Sequence, residues 1–102
     1  MRTVTAFVGS ARKQHTYHAV EQFLAGLEGR GDVRGEIVRM SEVRLETCRG
    51  CKLCFDKGSG FCPLDDDRDV LIERIMASDG VVFATPNYTF QVSGYMKVFL
   101  DR

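Results

Sequence analysis

The chain has 102 residues, of which 44% are hydrophobic and 27% are charged, a composition typical of one ordinary globular domain. Its 14 basic and 14 acidic residues give a net charge of zero, which argues against a nucleic-acid partner and against attraction to an anionic membrane. No apolar run reaches the roughly eighteen residues of a membrane span, and the first ten residues do not resemble a signal peptide. We therefore expect a protein of the reducing cytoplasm, where structural disulfides are rare.

Strand and helix patterns alternate along the chain. Apolar, β-branched segments predict strands over Val4–Val8, Glu36–Met40 and Gly80–Thr85. Helical spacing of apolar residues predicts helices from Thr16 to the glycines at 29–31, over Asp65–Ser78, and after an N-cap at Ser93. The aspartates at 65–67 are interpreted as capping the second of these helices.

This alternation predicts an α/β fold with a doubly wound parallel sheet and helices on both faces. In such sheets ligands bind beyond the carboxyl ends of the strands, where the strand order reverses. If the first strand lies between the second and the third, the loops that follow the first and third strands flank one crevice.

The loop after the first strand, GSARKQHT (residues 9–16), has the residue types of a phosphate site. Ser10 and Thr16 offer hydroxyl groups, Arg12 offers a bidentate guanidinium, and the free amides of the next helix point outward. The loop matches neither the Walker motif nor GxGxxG, so a nucleoside triphosphate or a Rossmann dinucleotide is not expected. The alternative interpretation is a solvated turn.

The loop after the third strand, TPNYTFQVSG (residues 85–94), combines a rigid Pro86 with Asn87, Tyr88 and Phe90. Aromatic and polar groups of this kind suit a planar heteroaromatic ligand, although aromatic side chains at this place can also simply cover the core. Taken together, the two loops suit a ligand with one phosphate and one large ring, such as flavin mononucleotide (FMN).

All four cysteines lie within fifteen residues, at Cys48, Cys51, Cys54 and Cys62. The Cys-x2-Cys-x2-Cys-x7-Cys-Pro spacing is similar to the bacterial ferredoxin run with a longer last gap, which favours a [4Fe–4S] cluster. Zinc is an alternative, although zinc sites usually show two separate cysteine pairs. Free thiols are the third possibility.

The two loops and the final segment, SGYMKVFLDR, resemble the NADPH-dependent FMN reductases, which have a flavodoxin-like fold. The cysteine block resembles their iron–sulfur flavoprotein subgroup. The resemblance implies that the flavin phosphate is held by Ser10, Arg12, His15 and Thr16, and that the isoalloxazine ring is lined by Thr85, Pro86, Asn87 and Tyr88. No side chain is predicted to be catalytic.

The resemblance also implies an FMN-dependent oxidoreductase that passes electrons between NAD(P)H or ferredoxin, a cluster, FMN and a small acceptor. Two other functions are kept open: a reductase without a cluster, and a metal-binding interaction domain without enzymatic activity.

Two departures from the family pattern bear on the expected architecture. The family usually has glycine at the position of Phe90, and its members continue beyond the position of Arg102 into further strands. We therefore expect residues 1–102 to be one incomplete flavodoxin-like domain with a cysteine-rich loop at 47–64 and strand order 2-1-3. Its third strand would be an open apolar edge that has to be covered. We expect this edge to pair with another copy in a homo-oligomer; the alternatives are that the chain is a fragment of a longer protein or that it folds poorly alone.

Overall fold

The computed structural model describes residues 2–12, 15–58 and 62–102. Residues 13–14 of the predicted phosphate loop and 59–61 of the cysteine loop therefore lie outside the described part. The elements in chain order are β1 (Arg2–Val8), α1 (His15–Glu28), β2 (Val33–Arg39), a 3₁₀ turn (Met40–Glu42), α2 (Leu53–Lys57), α3 (Arg68–Ala77), β3 (Gly80–Ala84) and α4 (Gly94–Leu100).

The three strands form one parallel sheet in the order β2-β1-β3, which confirms the predicted strand order. In the register of this sheet, Phe7 of β1 lies opposite Val38 of β2 and Phe83 of β3. The central strand is the most buried element, since Ala6, Phe7 and Val8 are fully inaccessible to solvent. Because all three strands run in the same direction, their carboxyl ends meet at one edge of the sheet.

Helices cover both faces of the sheet. On one face, Val20 and Leu24 of α1 pack with Ala6 and Val8. On the other face, the side chain of Phe7 packs with α3 and α4, because successive strand residues point to opposite faces. Among the described residues, no helix is both long enough and apolar enough to cross a bilayer.

The third strand is less buried than its continuous apolar run alone predicts, in keeping with its expected place at the open edge. Its continuous apolar run predicts a strand covered on both faces, but none of its five residues is fully buried, and Phe83 is half exposed. The reason is its position, because within the described sheet β3 pairs with β1 on one side only. Phe23 of α1 is also half exposed and lies beside this edge, where both phenylalanines line a shallow cavity.

The cysteine segment contains a helix that the sequence does not predict. The five-residue helix α2 follows Lys52, which has a left-handed φ of 66°. None of its residues is buried, so it has no amphipathic pattern from which it could be predicted. Gly50 and Gly58, on either side of it, also adopt positive φ values of 68° and 107°.

Candidate functional site

The two loops predicted to share a ligand are joined directly at the carboxyl end of the sheet. The backbone amide of Gly9 donates a 2.8 Å hydrogen bond to the carbonyl of Ala84, where the second loop begins. The hydroxyl of Ser93, where that loop ends, donates a 2.5 Å hydrogen bond to the carbonyl of Gly9. Ser93 is completely buried. The two loops therefore form one connected unit.

Glycine at position 9 is required by this contact. A Cβ atom there would lie 2.7 Å from the Ser93 hydroxyl oxygen and 3.0 Å from the Cβ of Met96. A sharp turn alone would explain Gly9 from the sequence, but the structure gives a different reason, the close approach of the second loop. Ser93 also accepts a 3.2 Å hydrogen bond from the Met96 amide, which confirms its predicted place as the N-cap of α4.

A cavity of about 280 Å³ lies between the two loops. It is lined by six of the eight residues predicted to contact FMN: Ser10, Arg12, His15, Thr16, Pro86 and Tyr88. The Ser10 side chain fixes the first loop locally, because its hydroxyl accepts from the Arg12 amide at 3.2 Å and donates to the Arg12 carbonyl at 3.1 Å. Arg12 and His15 are exposed, so their side chains are accessible to a ligand.

The other two predicted residues, Thr85 and Asn87, do not line this cavity. The Thr85 hydroxyl is used within its own loop, where it accepts from the Ser93 amide at 2.9 Å and donates to the Pro86 carbonyl at 3.0 Å. Thr85 lines the neighbouring cavity at the open edge of the sheet. Asn87 is exposed.

Arg39, which the sequence analysis did not single out, also supports the first loop. It ends β2, and its Nη2 donates a 3.0 Å hydrogen bond to the carbonyl of Ala11. Its guanidinium carbon lies 5.7 Å from the ring centre of Tyr17, and its Nη1 is 3.4 Å from a carboxylate oxygen of Glu42. An arginine at the carboxyl end of a parallel strand is the signal that could have identified it, because that edge is the ligand-binding edge.

The four cysteines lie around one small cavity of about 70 Å³, together with Phe55 and Pro63. They are free thiols; Cys48, Cys51 and Cys54 are exposed, and Cys62 is partly buried. The described residues include no group of three or more His, Cys, Asp or Glu side chains close enough together to hold a metal ion. The donor set therefore fits a four-thiolate centre in number, residue type and shared cavity, but its sulfur atoms would have to move closer together to bind one.

Buried charged side chains connect the two ends of the cysteine segment through an ion pair and hydrogen bonds. Asp66 and Arg102 form an ion pair with 2.7 Å between oxygen and nitrogen, and their side chains are only 0% and 2% exposed. Asp66 also accepts from the Glu46 amide at 2.8 Å, and Asp67 accepts from the Arg44 amide at 2.6 Å. The interpretation of these aspartates as helix caps is thus largely wrong. The helix begins at Arg68, and Asp67 at its N-cap makes no side-chain capping bond, although Asp66 accepts from the Arg68 amide.

The electrostatic environment of Asp66 follows from these contacts. Burial by itself raises the pKa of the carboxyl group, but the hydrogen bond from Arg102, the amides of Glu46 and Arg68 and the charge of Arg102 outweigh burial and lower its pKa to about 2. Asp66 is therefore ionised in the folded chain over the physiological pH range.

A sequence profile described as NADPH-dependent FMN reductase matches residues 2–102 of this chain. The chain belongs to this family. Its three-stranded parallel sheet, with helices on both faces, confirms the flavodoxin-like α/β fold expected from the sequence.

Curated proteins similar to this chain include iron–sulfur flavoproteins from Methanocaldococcus jannaschii and Methanosarcina thermophila. The one from Methanocaldococcus jannaschii is 30% identical over 100 residues, which cover 97% of this chain and 50% of the relative. The one from Methanosarcina thermophila is 31% identical over 100 residues, covering 97% of this chain and 51% of the relative. The chain thus spans about half the length of the curated relatives it matches.

The fold is also similar to solved structures. The crystal structure of RosB, which contains a bound riboflavin-5′-phosphate derivative, superimposes with a TM-score of 0.75. The sequence identity is 18%, and the match covers 99% of this chain and 41% of RosB. At this identity the similarity shows the shared fold alone.

Proposed function

We propose that residues 1–102 form the FMN-binding part of an oxidoreductase of the iron–sulfur flavoprotein type. The observation that carries this proposal is the single cavity between the two linked loops, because it collects six of the residues predicted for FMN from two segments far apart in the chain. Family membership supports the same ligand.

The phosphate group of FMN is assigned to the end of this cavity nearest α1. Ser10 and Thr16 supply hydroxyl groups, and Arg12 and His15 supply cationic or hydrogen-bonding side chains. The amides of the first turn of α1 have no acceptor within the helix and carry the positive end of its dipole, so they favour an anion. Arg39 holds the carbonyl of Ala11 and so keeps this loop in place.

The isoalloxazine ring is assigned to the Pro86–Tyr88 end of the cavity. Tyr88 also borders a second, larger cavity of about 450 Å³, lined mainly by apolar side chains such as Met40, Leu45 and Tyr95. A flat, largely apolar ring needs a space of this character next to a few polar groups. Thr85 contributes to this end through its hydrogen bonds within the loop, and Asn87 is exposed beside it. Bound flavin supplies the redox chemistry, which amino-acid side chains do not, and the protein binds it and excludes water.

The cysteines at 48, 51, 54 and 62 are assigned to a [4Fe–4S] cluster. The support is their spacing, their shared cavity and the names of the relatives. A reductase without a cluster is the second candidate, favoured by the lack of a metal-ligating group among the described residues. A metal-binding interaction domain without flavin is the third, and it would leave the loop cavity unexplained.

In the proposed function NAD(P)H or reduced ferredoxin is the electron donor, and a small redox molecule is the acceptor. We place this activity in the cytoplasm, since the thiols must stay reduced. The exposed apolar edge at β3 supports a homo-oligomer as the working form.

The phosphate assignment is tested by comparing FMN with riboflavin, which lacks the phosphate. We expect the parent chain to bind FMN more tightly than riboflavin in a fluorescence-quenching titration. Arg12→Ala should weaken FMN binding by about 10- to 100-fold, the usual effect of losing a hydrogen bond to a charged group, and should leave riboflavin binding unchanged. Arg30→Ala, which removes an exposed arginine beyond the end of α1, is the matched control. If Arg12→Ala binds FMN as tightly as the control, the assignment is wrong.

The cluster assignment is tested separately by Cys51→Ala. We expect this variant to lose iron and the broad visible absorbance of a cluster while it still binds FMN. A parent chain that binds FMN but takes up no iron after anaerobic reconstitution would favour the reductase without a cluster. Metal uptake without flavin would favour the interaction domain.

A further inference from the structure

Arg102 lies at the base of the cysteine segment, with its side chain only 2% exposed. Its Nη1 donates hydrogen bonds to the carbonyl of Glu46 at 2.6 Å and to Asp66 at 2.7 Å. Its Nη2 donates to the other Asp66 oxygen at 3.2 Å and to the Sγ atom of Cys62 at 3.6 Å. One planar guanidinium therefore contacts two parts of the chain, Glu46 and the stretch that contains Cys62 and Asp66.

These partners lie on both sides of α2 in the sequence. Glu46 precedes Cys48, whereas Cys62 and Asp66 come after α2, so Arg102 joins the entry of the segment to its exit. Asp66 completes the closure because it also accepts from the Glu46 amide. The planar fork of arginine matches a carboxylate with two parallel hydrogen bonds, a geometry that an ammonium group cannot reproduce.

The contact between Arg102 and Cys62 connects this closure to the thiols themselves. An N–H donor that carries a positive charge stabilises negative charge on sulfur. In an iron–sulfur centre such donors favour the reduced state, because reduction adds negative charge to the cluster and its sulfur ligands. Among the four thiols, Cys62 is the least exposed, in keeping with its position against the guanidinium.

We propose that Arg102 is a positioning residue for the cysteine site, which closes the site by joining Glu46 to Asp66 and donates a hydrogen bond to the sulfur of Cys62. Closure of the segment is a property of the chain without any metal. The effect on an iron–sulfur centre rests on the proposed function.

Closure is tested on the metal-free chain by hydrogen exchange of the Glu46 amide. Arg102→Gln removes the charge and the fork, leaving Asp66 buried without its partner. We expect exchange at Glu46 to accelerate on the order of 100-fold relative to the amides of β1, since breaking a buried ion pair is strongly destabilising. Protection in β1 shows that the variant still folds. Arg49→Gln is the matched control, because Arg49 lies in the same segment with a 70% exposed side chain, 3.8 Å from Glu46, and should leave exchange unchanged.

The effect on the metal centre is tested after anaerobic reconstitution with iron and sulfide. We expect Arg102→Gln to weaken iron retention by about 10- to 100-fold, as loss of a residue that orients a metal ligand commonly does. Its midpoint potential, followed by electron paramagnetic resonance, should shift to more negative values. Arg102→Lys, which keeps the charge but not the fork, should keep a potential closer to the parent value while retaining less iron.

Unchanged exchange at Glu46 in Arg102→Gln would overturn the closure. Unchanged iron retention and potential would overturn the role toward the cluster. A parent chain that takes up no iron would refute the proposed cluster, and the exchange experiment would still decide whether Arg102 closes the segment.

Discussion

The close contact of Gly9 with Ser93 predicts that replacing Gly9 even with alanine destabilises the fold. In Gly9→Ala the new methyl group would meet the Ser93 hydroxyl oxygen at 2.7 Å, so the second loop must shift. We expect a loss of about 1–3 kcal/mol in the free energy of unfolding, measured by urea denaturation.

Gly26→Ala is the control for this substitution. Gly26 lies inside α1, and a Cβ atom there would meet nothing within 4 Å. Alanine is a better helix former than glycine, so the free energy of unfolding of this variant should increase by about 0.5–1 kcal/mol. The same glycine-to-alanine substitution is thus expected to lower the free energy of unfolding at position 9 and to raise it at position 26. A stable Gly9→Ala would contradict the described junction of the loops.

The ion pair of Asp66 with Arg102 predicts how stability depends on pH. The pKa of Asp66 is about 2 in the folded chain, below its ordinary value of 3.8. The pair therefore stabilises the fold fully above about pH 4, and this contribution is lost as the pH falls from about 4 to about 2. In Asp66→Asn the unfolding free energy should be lower at neutral pH and should fall less steeply over this interval.

Glu73→Gln provides the comparison for this acid titration, because Glu73 is exposed on α3. It should keep the pH dependence of the parent chain. Equal slopes between pH 4 and pH 2 for the parent and Asp66→Asn would show that the pair does not govern acid unfolding.

Among the structural elements, the turn in the second loop is held in a conformation that its residues disfavour. Tyr88 and Gln91 exchange two backbone hydrogen bonds, of 2.9 and 3.0 Å. The residues between them, Thr89 and Phe90, have φ values of 50° and 65°. Positive φ at both central positions is the pattern of a type I′ turn, which strongly prefers Asn-Gly.

We therefore expect Phe90→Gly to increase the free energy of unfolding by about 0.5–1 kcal/mol. Glycine removes the strain of the left-handed conformation, and this gain exceeds the extra backbone entropy that glycine loses on folding. Little packing is lost, since Phe90 is 90% exposed. Phe90→Ala removes the same ring without relieving the backbone, and thermal unfolding should show no gain for it. An equal gain in stability from both variants would show that the exposed ring, and not the backbone conformation, destabilises the chain.

The sequence predicts those elements that periodicity and topology control. The three strands follow from apolar runs separated by helical patterns, whereas their order, and with it the meeting of the two loops, follows from the resemblance to a flavodoxin-like family. The periodic pattern does not predict α2, because this helix is short and none of its residues is buried. It also does not predict the exposure of Phe83, which depends on whether another strand covers β3. The partnership of Asp66 with Arg102 joins residues 36 positions apart, and no local pattern indicates it.

For the whole molecule, the open edge at β3 predicts self-association. Phe23 and Phe83 are half exposed along this edge, and an unpaired apolar strand edge is prone to pair with another chain. We expect light scattering after size exclusion to give a mass above that of one chain, increasing with concentration. Phe23→Lys should reduce this association, because it places charge on the edge.

Met76→Lys is the matched substitution elsewhere on the surface. Met76 lies on α3 and is 79% exposed, so it is also an accessible apolar side chain. If both lysine variants reduce association equally, general surface hydrophobicity is responsible and the edge is not the contact.

The helix α4 gives the molecule a fixed internal spacing. It begins at Ser93, which is bonded to Gly9 beside the loop cavity, and Arg102 follows its other end against Cys62. Its seven residues span roughly 10 Å. Because this helix links the loop cavity to the residue that contacts Cys62, a change in its length would alter the spacing between the two sites assigned under the proposed function.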